Sequence, residues 1–93
     1  MRTGNNYEST READAVIHRV DHINRELAAL VDGVLVTIYV PPACDVILRG
    51  ERIKFRMVQP KDRVRVTYTQ SVNSMIASAI EVQPSRPTSS DLK

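Results

Sequence analysis

Ninety-three residues, with 13 Lys and Arg against 11 Asp and Glu, make one small domain of formal charge +2, too slight an excess to name a nucleic-acid partner by charge alone. No apolar run reaches the ~18 residues needed to span a bilayer, and the single cysteine, Cys44, excludes an internal disulfide framework. The start, MRTGNNYESTREADA, lacks the apolar core of a secretory leader, which favours a cytoplasmic location.

Residues 1–11 are polar, and QPSRPTSSDLK at 83–93 is rich in Pro and Ser. Both read as disordered tails around a domain at 12–82. The segment that follows the first tail admits two readings. Ala13, Val16, Val20, Ile23, Leu27 and Leu30 fit a helical seam over 10–31, with STRE as a capping box and Gly33 just past the end. Alternatively AVIHRV and ELAALV are two strands joined by the polar DHINRE, a reading that the β-branched residues over 16–23 support.

From residue 34 the period is two. Val34, Val36, Ile38 and Val40 share one face, with Leu35, Thr37 and Tyr39 on the other. Pro41 and Pro42 end the pairing. DVILRGERIKFRM reads as a hairpin turning at Arg49-Gly50-Glu51, with Ile53, Phe55 and Met57 inward and Arg52, Lys54 and Arg56 outward. After VQPKD, Val64, Val66 and Tyr68 face in, while Arg63 and Arg65 face out. A last strand, MIASAIEV, contributes Ile76, Ile80 and Val82. Short strands at this spacing predict an all-β fold: a five- to six-stranded OB-like barrel, closed or partly open. The helical reading of 10–31 would put a helix before a five-stranded SH3/Sm-like barrel.

The pieces Val16, Val20, Asp21, Arg25 and Leu27, then Val40-Pro41, Gly50, Asp62, Val64, Val66 and Tyr68, and finally Ala77, Ile80 and Val82 resemble a group of small bacterial OB-like β-barrel domains of unknown function. The likeness covers most of 15–82. It implies the two-strand reading of the first third, and a single helical turn in place of a strand within KFRMVQ. Where the group has glycine before the aspartate, this chain has Lys61. There is a weaker similarity to the CusF-type periplasmic copper and silver chaperones, also OB-like barrels. This chain has neither their tryptophan nor their paired methionines.

Three functions are weighed. His18 and His22, four residues apart, fall on one face of a strand or a helix and are the metal candidates, for Cu, Ag or Zn. Cys44, Met57 and Met75 fit no standard ligand spacing and read as packing residues. Arg52, Lys54, Arg56, Arg63 and Arg65 would share an outward face if their strands paired, with Tyr39 placed to stack a base, which would suit single-stranded nucleic acid. No nucleophile, phosphate loop or paired carboxylates stand in a recognisable context, so no enzyme activity and no cofactor are expected. The leading expectation is a non-catalytic binding module that meets a protein or other macromolecule on its outer surface.

Overall fold

The computed structural model describes residues 10–72 and 74–83. Seven strands follow one another: β1 (Thr10–Asp21), β2 (Glu26–Val31), β3 (Val34–Tyr39), β4 (Asp45–Leu48), β5 (Glu51–Arg52), β6 (Arg63–Gln70) and β7 (Met75–Gln83). The sheet order is β3-β2-β1-β6-β7-β4-β5, and a further β3–β7 pairing closes five of the strands into a ring. The two-strand reading of the first third therefore holds, and the helix over 10–31 does not form. Polar residues hid the ends of the domain. Thr10 and Arg11 pair with Thr69 and Tyr68, and Gln83 pairs with Arg63. The rest of the expected tails lies outside the described residues.

The ring is filled by its own side chains. Ile17, Leu27, Ile38, Val40, Val58, Val64, Val66 and Ile80 are fully buried, and Ala15, Ala29, Cys44, Val46, Phe55, Tyr68, Ala77 and Val82 complete the core. At roughly 1.5–3 kcal/mol per buried aliphatic side chain, this plug is the main term holding so small a domain together. Period-two alternation places most of these residues, and two bulges correct it. In β1 the register slips between Ile17 and Arg19, leaving His18 as the extra residue. In β7 it slips at Ser78, which turns outward and donates its hydroxyl to Thr67 O at 3.2 Å. Ala77 thereby enters the core in place of the expected Ile76, which is only half-buried.

Two tight turns use left-handed backbone. Asp32-Gly33 (φ 54° and 80°) joins β2 to β3, and Arg49-Gly50 (φ 55° and 82°) joins β4 to β5. Positive φ at both central positions is the hairpin geometry whose twist matches the flanking strands.

The hairpin after Gly50 is shorter than its alternation suggests. β5 stops at Arg52, and Phe55–Met57 forms a 3₁₀ turn, closed by the Val58 N–H donating to Phe55 O at 3.0 Å. Phe55 still plugs the core, but Met57, expected inward, is 57% exposed. A single turn at threefold period cannot keep residues 53, 55 and 57 on one side.

Candidate functional site

One end of the ring gathers three connections: the β1–β2 turn, the β3–β4 link and the segment from β5 into the 3₁₀ turn. The β1–β2 turn is set by Asp21. Its carboxylate accepts the backbone N–H groups of Ile23 (3.1 Å) and Asn24 (3.0 Å) and the Asn24 side-chain amide (2.9 Å). The bonds donated by Asn24 lead in holding the Asp21 carboxyl below its ordinary value. Arg25 closes the turn in the left-handed region (φ 56°).

Arg25 is fixed from two sides. Its Nε donates to Val40 O at 2.7 Å, while the Val40 N–H donates to Arg25 O at 2.8 Å. Its guanidinium carbon stands 4.9 Å from the centre of the Phe55 ring. His22 meets the same ring edge-on, with centroids 5.7 Å apart and an interplanar angle of 69°. These contacts tie the β1–β2 turn to the 3₁₀ turn across the cleft, each worth of order 0.5–1.5 kcal/mol.

The cleft, about 420 Å³, is lined by His22, Arg25, Arg52, Lys54 and Arg56 around an apolar floor of Pro42, Val46, Ile53 and Phe55. Cys44 is also in the wall. Its buried thiol is pushed up to about 11, by desolvation first and by Asp45 second, against the opposing pull of Arg25. Among the described residues no carboxylate belongs to the lining. Asp45, next in the chain to Cys44, pairs with the lining residue Arg52 at 3.2 Å across two exposed side chains. Such a pair is screened and worth little.

The five cations named from the sequence do not form one face, because β5 pairs with β4 while β6 lies between β1 and β7. Arg52, Lys54 and Arg56 reach the cleft. Arg63 and Arg65 lie along a separate groove of about 920 Å³, with Lys61 and with Asp14, Asp32 and Asp62, so its charges balance. Arg65 is engaged there by Asp14 (3.2 Å) and Glu12 (3.8 Å). Tyr39 is half-exposed opposite Glu26 on β3 and does not line the cleft.

His18 and His22 do not share a continuous strand. His18 is the bulge residue of β1, and β1 ends at Asp21, before His22. Among the described residues no cluster of three His, Cys, Asp or Glu side chains could hold a metal ion. Sequence reading missed Arg25, Phe55 and Cys44 as neighbours in one site. The polar DHINRE placed Arg25 in a turn, but nothing local signals that its guanidinium would meet Val40 and Phe55.

No protein-family model matches the chain, and no curated protein matches it. Solved structures do. Apo-CusF residues 6–88 from Escherichia coli superposes with a TM-score of 0.66 at 13% identity, covering 88% of this chain and 96% of that one. The Ag(I) form of CusF gives 0.65 at 14% identity, covering 81% and 92%. The fimbrial biogenesis protein PilY2 from Pseudomonas aeruginosa PAO1 gives 0.60 at 18%, covering 80% and 87%. The chain thus has the small β-barrel fold of these proteins.

Proposed function

We propose that the domain is a non-catalytic binding module that takes an acidic segment of a partner protein into the cleft at His22, Arg25 and Lys54. The observation carrying this reading is the wall of four cations and a histidine, with no carboxylate among the described lining residues. Arg25 is the anchor, since it is immobilised before any ligand arrives and loses little freedom on meeting a carboxylate. Lys54 and Arg56, on the exposed side of the 3₁₀ turn, supply the longer-range attraction.

The same cleft is less suited to single-stranded nucleic acid. Among the described lining residues the one phenyl ring, Phe55, is buried beneath Arg25 and His22, which leaves the small His22 imidazole as the one ring a base could stack on. Titration of the full chain with an Asp/Glu-rich peptide, followed by NMR, tests the choice. Amide shifts centred on His22, Arg25 and Lys54–Arg56 are expected, weakening with added salt and lost in the Lys54→Glu, Arg56→Glu double variant. Binding of an oligothymidylate in place of the peptide would transfer the site to nucleic acid, and silence with both would end the proposal.

A second reading, metal binding through His18 and His22, draws its support from the likeness to a barrel solved with Ag(I). The cations around His22 oppose it. Histidine resonances that stay unmoved on adding Ag(I) would exclude it.

A further inference from the structure

β3 has a free edge. On one side it pairs along its whole length with β2, from Val31–Val34 to Glu26–Tyr39. On the other, β7 covers only Ile38 and Tyr39, and among the described residues no strand pairs with Val34–Thr37 there. Antiparallel partners alternate between bonded and non-bonded pairs. The Val40 N–H to Arg25 O bond fixes the phase: Val34, Val36 and Ile38 exchange bonds with β2. The backbone N–H and C=O groups of Leu35 and Thr37 therefore point to the open side.

Soluble proteins usually guard such an edge with lysine, proline or a bulge. Val34-Leu35-Val36-Thr37 has none of these. Val34 and Leu35 are instead 60% and 54% exposed. The outer face beside the edge is apolar as well. Val16 sits opposite Leu30 and Leu30 opposite Leu35, so three exposed aliphatic side chains form one cross-strand row ending at the free edge.

We propose that a second copy of this chain pairs antiparallel along this edge, with Leu35 of each copy facing the other across a twofold axis. A strand without charge meets its own antiparallel copy without like-charge opposition. An incoming copy also brings a leucine to the place where the Val16–Leu30–Leu35 row stops, and so extends that row through Leu35, Leu30 and Val16 of the second copy. Isologous pairing of this kind closes at two and uses up this edge in both copies. The contact is short beside a standard interface, so the dimer forms and dissociates with concentration. The cleft at Arg25 takes no part in it.

Sedimentation velocity of the full chain from micromolar to millimolar concentration, with amide hydrogen exchange at the same concentrations, tests the proposal. The expected result is a mass that climbs towards the dimer while exchange at the Leu35 amide slows. Leu35→Lys, at a half-exposed site, abolishes both changes with an unaltered circular dichroism spectrum, and Lys54→Glu in the cleft changes neither. A chain that stays monomeric with concentration-independent exchange at Leu35 overturns the proposal and leaves the edge to a different protein's strand. A dimer indifferent to Leu35→Lys overturns it too.

Discussion

Lys61 holds a backbone conformation, φ 77°, that a side-chain-bearing residue reaches at a cost of roughly 1–2 kcal/mol. It is kept there by β1. The Lys61 N–H donates to Ile17 O at 2.7 Å, and the Ile17 N–H donates to Asp62 O at 2.9 Å, so the turn before β6 is stitched to the buried centre of the first strand. Replacing Lys61 with glycine removes the strain and keeps both bonds. The gain is trimmed by the freer unfolded chain, leaving a net stabilisation of about 0.5–1 kcal/mol, measurable by urea denaturation.

Cys44 gives the pH signature. With its thiol pushed up to about 11 from an ordinary value near 9, the native state keeps a proton that the unfolded chain releases. A folded-state value raised in this way contributes stability that is present below the unfolded value and lost as the pH climbs through the folded one. Melting temperature should therefore fall between about pH 9 and pH 11, and part of that fall should vanish in Cys44→Ala. Alkylation of the native thiol at neutral pH should be slow for the same reason.

At the scale of the element, the 3₁₀ turn decides what the cleft can be. It drops Phe55 into the core while keeping Lys54 and Arg56 at the surface, and the ring becomes the floor on which His22 and Arg25 rest. Phe55→Ala should cost about 3–5 kcal/mol by opening a cavity beneath three connections. Phe55→Leu should keep most of that stability yet release His22 from the ring. The ring-current shift of the His22 imidazole, read by NMR, would then disappear while the denaturation midpoint moved little; a midpoint drop matching the alanine variant would count against this division of labour.

Over the whole molecule, alternation carried far because the ring is filled by strands with one wet face. Val64, Val66 and Tyr68, or Ile38 and Val40, could be assigned inward from period two alone. Alternation failed where one residue is inserted or one turn is helical. Nothing in HRV marks His18 as a bulge, nothing in ASA marks Ser78, and FRM alternates as well as any strand. Val34 shares a face with the buried Ile38 and Val40 yet is exposed, because the β2–β3 hairpin runs on past the end of the core. The site was legible only in part. Arg52, Lys54 and Arg56 were visible as cations, but their separation from Arg63 and Arg65 follows from β4 standing beside β7, a pairing between distant segments that no local pattern encodes.

β7 is the strand on which the architecture converges. It bonds antiparallel to β6 and, with successive stretches of its length, parallel to β3 and β4. It is also translated after all three. While a ribosome is still making residues 75–83, β3 and β4 have no neighbour on that side, and Val46 waits without the Ile80 it will face. The half-made molecule is thus an open, greasy sheet that cannot lock until its final strand arrives, and that interval is when it depends most on being shielded from other nascent chains.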